Sequence, residues 1–368
     1  MSASRFQRYL LPGFAFKAVV IGGGYATGRE LVEFFLPSGP RGGVCAIALG
    51  AVLWSTVCMA TFLLARITNS YDYRSFFKHV LGRAWFVFEI AYFFFIILIL
   101  AVFGAAAGAI GHAMLEWPVF AGTLCLMISI ALIVAYGNTS VERLFKWASI
   151  FLYGIYALFV VLALSKFGEQ ILANFSLQVP TTGWVSAGIT YAGYNIVGAV
   201  VILPVLRHLT SNRDALIAGA LAGPLAMIPA LLFFVSMVAF YPQIASEPLP
   251  SDFILKRLNL PIFHVAFQLM IFAALLESGV GSVHAVNERI SHVWNRRYGH
   301  ELSVRQRLAS AALLLIVAMV LADRFGLVTL IARGYRALAY LIVAVYVLPL
   351  LAFGVWRYWR SRAALVPT

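Results

Sequence analysis

Long apolar runs, separated by short polar connections, make up most of this chain. Ten of these runs approach or exceed the roughly 20 residues that an α-helix needs to cross a bilayer. The pattern therefore predicts an all-α polytopic membrane protein of about ten transmembrane helices. The predicted spans, numbered 1 to 10 in chain order, cover residues 11–36, 43–67, 83–115, 117–136, 142–166, 184–208, 215–241, 261–291, 305–322 and 333–358.

Composition strengthens this prediction and excludes a water-soluble globule. Hydrophobic residues make up 62% of the 368 residues, charged residues only 11%, and the mean hydropathy is +0.91. A net charge of +13 in a soluble chain would indicate a nucleic-acid partner, but here the basic residues lie between apolar runs, where they orient loops. The expected partner is the lipid bilayer, with no nucleic acid.

The distribution of lysine and arginine predicts the orientation. If the N-terminus is cytoplasmic, 18 of these residues fall in cytoplasmic segments and seven in outer ones. Positive residues favour the cytoplasmic side, so both termini are predicted there, in a bacterial cytoplasmic (inner) membrane. The basic N-terminal stretch has no clear cleavage site, and Lys17 interrupts its apolar part, so we interpret it as a retained first span.

Glycines interrupt two of the spans. Span 1 contains three in a row within "AVVIGGGYATGRELVEFF", and span 6 reads "AGITYAGYNIVGAVVILPVL". We predict breaks at Gly22–Gly24 and at Tyr191–Asn195, in the first helix of each five-span half. Because five is odd, the second half enters the membrane inverted, as in inverted-repeat transporters. The predicted repeats are 1–167 and 168–368, the second with a cytoplasmic C-terminal tail.

A broken membrane helix has a physical use. Unpaired backbone groups survive in a bilayer only where they line a cavity or meet a ligand. Amides at the start of the outer half-helix attract an anion such as a carboxylate, and carbonyls at the end of the inner half-helix attract a cation. The alternative is that the glycines only let neighbouring helices pack closely.

The motif "IGGGYATGRE" resembles the first-helix signature of the amino acid-polyamine-organocation transporter superfamily, and "GGGYATGRELVEFF" resembles its YkvI-like bacterial branch. The resemblance covers nearly the whole chain and implies a LeuT-type 5+5 inverted repeat, with helices 1 and 6 unwound at the membrane midplane. It also implies alternating access, with a substrate carboxylate on the amides of the span 1 glycines. Facing them would be the stretch from Tyr191 to Asn195.

Aromatic and amide side chains near the two breaks complete the predicted substrate site. A tyrosine ring can present its face to an ammonium group, and an asparagine can hydrogen-bond the substrate or the backbone. Either tyrosine of span 6 could equally be a core residue. The predicted substrate-binding residues are Gly22, Gly23, Gly24, Tyr25, Tyr191, Gly193, Tyr194 and Asn195.

Span 8 carries an ionisable residue in an apolar setting, which is a functional hypothesis by default. Glu277 lies on one helical stripe with Gly281, His284 and Glu288, a plausible proton route. The sodium-site pattern of LeuT-type transporters has its nearest match at Ala274, Glu277 and Ser278, but Glu277 stands where a hydroxyl is expected. Coupling to a proton and coupling to sodium therefore both remain open. The predicted ion-coupling residues are Ala18, Ile21, Ala274, Glu277, Ser278 and His284, and all except His284 form the possible sodium site.

Charged residues follow the break in span 1. Arg29 and Glu33 are four residues apart and can pair, so we predict that Arg29, Glu30 and Glu33 form an outer gate or a self-neutralising network. The long connections "NSYDYRSFFKHVLG" and "YPQIASEPLPSDFILKRLNLP" are predicted to carry surface helices.

The sequence thus predicts a secondary active transporter, a symporter for an amino acid or a related small organic solute, driven by protons or sodium. An ion or solute channel is the first alternative, because a broken helix can also line a pore. An integral-membrane enzyme is less favoured, since HExxH, GxSxG and phosphate-loop motifs are missing from the sequence. No cofactor is expected beyond a possible sodium ion. The substrate and the oligomeric state stay open.

Overall fold

The computed structural model describes residues 4–136, 138–300 and 302–354, and within this part of the chain it contains helices and turns but no strand. The all-α prediction is therefore confirmed. The C-terminal tail from residue 355 onward, which contains three of the predicted cytoplasmic arginines, lies outside the described residues.

Each predicted span coincides with helix, usually a longer one than predicted. Spans 1 to 5 are formed by Leu11–Val20, Gly23–Ala26 and Arg29–Phe35 (span 1), Gly39–Ile67 (2), Trp85–Leu115 (3), Val119–Tyr136 (4) and Asn138–Ser176 (5). Spans 6 to 10 are formed by Trp184–Asn195, Gly198–Val201 and Leu203–His208 (span 6), Asn212–Val238 (7), Pro261–Tyr298 (8), Val304–Thr329 (9), and Leu330–Tyr335, Arg336–Ile342, Val343–Val347 and Leu350–Gly354 (10).

Local backbone features divide the longer helices. Span 5 runs well past its predicted end and kinks at Phe167, which coincides with the predicted boundary between the two repeats. Gly326, with a φ of 69°, interrupts span 9 near its end, four residues before span 10 begins at Leu330. This positive φ is easily adopted only by glycine, so the chain can change direction there without strain. The inverted symmetry of the two repeats stays a prediction.

Membrane crossing agrees with the lengths of the helices. Six helical stretches in the described residues are long and apolar enough to cross a bilayer, and Leu11–Val20 and Val119–Ala135 are shorter apolar helices. Two further helices, Tyr73–Leu81 and Pro250–Leu258, occupy the two connections that were predicted to carry surface helices. The chain is thus a multi-pass membrane protein.

The spans associate in two groups. Span 7 packs against spans 1 and 2, and span 6 packs against span 2, whereas spans 3, 4, 8 and 9 pack against one another. Within the first group, small residues allow backbones to approach closely, which is how many membrane helices gain packing energy without a hydrophobic driving force. At Gly219 of span 7, an added Cβ would lie only 2.5 Å from the backbone nitrogen of Met59 in span 2.

This contact leads to a stability prediction. We expect Gly219→Ala to destabilise the protein by about 1–3 kcal/mol, because the added methyl group must push spans 2 and 7 apart. Gly154→Ala is the matched control, since nothing lies within 4 Å of a Cβ added there. Thermal unfolding of the purified proteins measures the difference. Equal melting temperatures for the two variants would contradict the close approach of spans 2 and 7.

Candidate substrate and cation site

The break in span 1 begins one residue before the predicted glycines. The first helix ends at Val20, Ile21 and Gly22 are non-helical, and a single helical turn follows from Gly23 to Ala26. A second interruption at Thr27 and Gly28 precedes the outer helix Arg29–Phe35, with Gly28 at a φ of 79°. Of the three predicted break residues only Gly22 is non-helical, so the interruption is consistent with the predicted break but has different bounds.

At this break the carbonyl group of Ala18 does not bond to its usual backbone donor. The backbone nitrogen of Gly22 bonds to the carbonyl oxygen of Val20 at 2.9 Å rather than to that of Ala18, which would be its partner in a regular helix. The usual donor of the Ala18 carbonyl is therefore engaged elsewhere. Carbonyls at the end of a helix carry partial negative charge and favour a cation.

The predicted break at Tyr191–Asn195 in span 6 is wrong in position. These residues belong to a regular helix, Trp184–Asn195, and the irregular stretch starts after them. From Ile196 onward the helix tightens, as Ala199 N bonds to Ile196 O at 3.0 Å and Val200 N to Val197 O at 2.9 Å. Span 6 then ends in the 3₁₀ helix Leu203–His208.

The reason lies in what the span 6 glycine contacts. A Cβ added at Gly193 would lie 3.1 Å from the side chain of Val343 and 3.2 Å from that of Ala339, both in span 10. Gly193 therefore serves close packing of two helices and does not open the backbone. This was the alternative interpretation of the glycines, and at this position it is the correct one.

Tyr191 and Tyr194 are buried in an aromatic cluster, and Tyr25 is buried separately, against the rings of Tyr156 and Phe233. The ring of Tyr191 lies 4.7 Å from that of Phe35, and the ring of Tyr194 lies 4.4 Å from that of Tyr335, measured between centroids. The three tyrosines are at most 2% exposed. Asn195 is half-buried and donates from Nδ2 to the carbonyl oxygen of Tyr191 at 3.4 Å.

Next to this aromatic cluster, the charged residues of span 1 form contacts that close the protein on this side. The Arg29 guanidinium, in a residue only 6% exposed, donates to Glu33 at 2.6 Å and to the carbonyl oxygens of Ala245 and Glu247 at 2.9 and 3.0 Å. The pairing of Arg29 with Glu33 was predicted and is present. Glu30 points elsewhere, since its carboxylate accepts a hydrogen bond of 2.6 Å from the hydroxyl of Tyr194.

A backbone hydrogen bond also holds the connection between spans 7 and 8 against span 1. The backbone nitrogen of Ser251, in the helix Pro250–Leu258, donates to the carbonyl oxygen of Thr27 at 3.0 Å. Thr27 lies in the second interruption of span 1, so the connection covers the site from this side. Arg29 and Thr27 together fasten the connection to span 1.

A cavity of about 350 Å³ lies between the two groups of spans, against the break in span 1. Its lining includes five of the six predicted ion-coupling residues, which come from spans 1 and 8: Ala18, Ile21, Ala274, Glu277 and Ser278. Gly22 is adjacent to it, because a Cβ added there would lie 3.6 Å from the hydroxyl oxygen of Ser278. Residues about 256 positions apart in the chain are thus brought together as predicted.

The rest of the predicted sites lie elsewhere. His284 is half-buried and does not line this cavity, and Glu288 is paired with Arg307 at 2.8 Å. The helical stripe predicted as a proton route is therefore not continuous with the cavity at these two residues. Tyr25, Tyr191, Gly193, Tyr194 and Asn195 are also not among the lining residues.

Span 3 supplies a wall that the sequence interpretation did not identify. Tyr92, Phe95, Ile99 and Phe103 line the cavity from one face of this helix. Their spacing of three and four residues was a usable signal. However, span 3 is apolar on every side, so its sequence alone did not distinguish the face that meets the cavity from the faces that meet lipid.

A comparison with protein-family models found no match. Among curated proteins, the chain is 21% identical over 338 residues to the uncharacterized membrane protein YkvI of Bacillus subtilis (strain 168), which covers 90% of this chain and 92% of that protein.

Solved structures of transporters share the fold. MhsT in complex with L-phenylalanine matches with a TM-score of 0.55 and 19% identity, covering 96% of this chain and 88% of that one. A manganese transporter of Eremococcus coleocola matches at 0.52 and 15%, covering 94% and 78%. A Na⁺-coupled sialic acid symporter matches at 0.51 and 14%, covering 94% and 87%. The predicted resemblance to a YkvI-like chain of LeuT-type fold is confirmed.

Proposed function

We propose that this chain is a secondary active transporter that moves an amino acid or a related small organic solute across the bacterial cytoplasmic membrane by alternating access. The observation that carries the proposal is the cavity between the span 1 break and Glu277, which continues along span 8 as far as Ala285, toward the arginine-rich end of that helix. On the other side of the break, the aromatic cluster and the Arg29 contacts are closed. A cavity beside a broken helix that is closed on one side is typical of a carrier.

This arrangement would accommodate an amino acid. The amides that open the turn Gly23–Ala26 would hold the carboxylate, and the rings of Tyr92, Phe95 and Phe103 would contact the remainder of the solute. Tyr25, Tyr191, Tyr194 and Asn195 belong to the closed side in this conformation. Their predicted role in binding requires a conformation in which the aromatic cluster has opened.

Glu277 is the proposed coupling group. A carboxylate inside a membrane protein is costly when charged, so it is satisfied by a proton or by a cation beside it. A sodium ion would be held by Glu277 and Ser278 together with the carbonyls of Ala18, Ile21 and Ala274. The Ala18 carbonyl, whose usual donor is engaged elsewhere, supports this set. The Na⁺-coupled symporter of similar fold supports sodium, and a carboxyl group that lines a cavity inside the membrane supports a proton.

The function is tested by a ligand screen followed by transport. Binding to the folded state raises the melting temperature by mass action, so purified protein is heated with single amino acids, amines and nucleobases, with and without sodium. A solute that stabilises the protein is then assayed for counterflow in liposomes. Labelled solute that accumulates transiently against unlabelled solute indicates a carrier. Flux that is never accelerated by solute on the opposite side would identify a channel instead.

The hydrogen bonds of Arg29 to the connection between spans 7 and 8 lead to a further prediction. Arg29→Gln removes the donors that hold the carbonyls of Ala245 and Glu247, so the helix Pro250–Leu258 should detach more often. We expect backbone amides in 250–258 to exchange with deuterium several-fold faster, because exchange reports local opening.

Arg41→Gln is the matched control for that experiment. Arg41 also bonds to a backbone carbonyl, that of Phe175 at 2.9 Å, but it is exposed and does not contact the helix Pro250–Leu258. Exchange in 250–258 that is the same in the parent and in Arg29→Gln would show that Arg29 does not hold this closure.

A further inference from the structure

A groove separate from the cavity described above lies between spans 3 and 8, at the arginine-rich end of span 8. It has a volume of about 410 Å³, and two facing helical stripes form its walls. From span 3 come Glu89, Phe93 and Ile96. From span 8 come residues at a repeat of three and four positions, the spacing of one helix face: Val286, Arg289, Ile290, Val293, Trp294, Arg297 and Tyr298.

The apolar part of this groove is open to the surroundings of the protein. Phe93 is 46% exposed, Ile290 is 37% exposed and Val293 is 63% exposed. In a multi-pass membrane protein, apolar side chains with this much exposed surface contact the acyl chains of lipids. The groove therefore presents a surface that a lipid tail fits.

The polar end of the groove carries positive charge that is not neutralised by a carboxylate. The Arg289 guanidinium lies 4.0 Å from the ring centroids of both Tyr73 and Tyr92. The carboxylate of Glu89 instead accepts a hydrogen bond of 2.9 Å from the Tyr73 hydroxyl. Among the ion pairs of the described residues, neither Arg289 nor Arg297 has a carboxylate partner.

Two aromatic residues mark the boundary between the two ends. The rings of Trp294 and Tyr298 lie 4.3 Å apart, and such residues are enriched where lipid tails give way to headgroups. Trp294 and Tyr298 therefore lie where a lipid tail would give way to its headgroup.

We propose that this groove binds an anionic phospholipid of the leaflet at the arginine-rich end of span 8. The phosphate oxygens would accept from the Arg297 and Arg289 guanidinium groups, and an acyl chain would lie on Phe93, Ile290 and Val293. Clusters of arginine between membrane helices favour anionic over zwitterionic headgroups, since each positive residue attracts the net negative charge.

The position of the groove connects it to the transport cavity. Ile96 lines both spaces, and Tyr92, which lines the cavity, also stacks on Arg289. A phosphate that draws Arg289 toward the groove weakens its contact with Tyr92. Bound lipid therefore acts on the wall of the cavity as well as on the surface of span 8. This binding does not depend on the proposed transport activity.

The test uses phosphatidylglycerol and phosphatidylcholine with identical acyl chains, added in equal amounts to purified full-length protein and counted by native mass spectrometry. The parent protein is expected to retain phosphatidylglycerol preferentially. In Arg297→Gln, the ratio of bound phosphatidylglycerol to phosphatidylcholine should fall about fivefold. Arg324→Gln, at an exposed arginine outside the groove, should keep the parental ratio.

A second variant examines the apolar wall. Val293→Glu places a negative charge where the acyl chain would lie, and it should lower binding of both lipids while the melting temperature without lipid stays near that of the parent, because Val293 is on the surface. Equal retention of the two lipids by the parent, or an unchanged ratio in Arg297→Gln, would overturn the proposal. Stabilisation by inorganic phosphate equal to that by phosphatidylglycerol would do so too, since the site would then bind a free anion.

Discussion

Replacing Glu277 with glutamine is expected to abolish concentrative uptake while leaving exchange of the solute intact. Glutamine keeps the size of the side chain but cannot bind and release a proton, and its neutral amide attracts sodium much more weakly than a carboxylate does. One proton moved with each solute across a gradient of one pH unit supports about tenfold accumulation, which is about 1.4 kcal/mol. In Glu277→Gln this accumulation should vanish, because loss of the cation no longer changes the balance between the two conformations.

The measurement is uptake into liposomes under an imposed proton or sodium gradient, using a solute that the thermal screen identifies. The gradient that drives the parent protein decides which ion couples. Glu169→Gln is the matched control, because Glu169 is an exposed carboxylate that does not line the cavity. If Glu277→Gln concentrates solute as well as the parent under the same gradient, Glu277 is not the coupling group.

Enlarging residue 22 is expected to have a similarly large effect, this time on binding. Gly22 lies in the non-helical stretch next to the cavity, and a Cβ there would be at 3.6 and 3.7 Å from Ser278 and Phe103, which is ordinary contact. Gly22→Ala should therefore bind solute nearly as the parent does. Gly22→Leu places three more carbon atoms between the break and span 8, so the solute should no longer raise the melting temperature.

The comparison of the two Gly22 variants separates occlusion from misfolding. The melting temperature of Gly22→Leu without solute should remain within a few degrees of the parent, since Ser278 and Phe103, the side chains nearest an added Cβ, both line the cavity and have space beside them. Loss of binding in Gly22→Ala as well would indicate that the backbone at residue 22, rather than the space beside it, is what matters. Undiminished uptake by Gly22→Leu would show that the substrate does not bind beside residue 22.

Gly22, Gly23 and Gly24 were all predicted to contact the substrate, and the structure favours Gly22 as the residue to replace. Gly23 lies in the helical turn Gly23–Ala26, whereas Gly22 is the residue that the helix leaves free. A run of three glycines predicts that a helix is weak there, since glycine is a poor helix former. It does not predict which of the three will be non-helical, because that depends on which backbone groups find partners in neighbouring spans.

Much about this protein follows from its sequence alone. The number and approximate bounds of the spans follow from the length of apolar runs, because a bilayer imposes its thickness on any helix that crosses it. The pairing of Arg29 with Glu33 follows from a spacing of four residues in one helix. The meeting of Glu277 and Ser278 with span 1 was also predicted, although through the family resemblance rather than from spacing within one helix.

Only the tertiary structure decided what each glycine and each tyrosine does. Gly22 and Gly193 both interrupt apolar runs, yet the first borders a cavity and the second packs on Ala339 and Val343. Tyr191 and Tyr194 were predicted to bind the substrate, and in this conformation they are buried among Phe34, Phe35 and Tyr335. A glycine permits close packing and backbone opening equally, and an aromatic ring suits a core and a binding site equally. Which of the two occurs depends on the facing helix, which lies tens to hundreds of residues away in the chain.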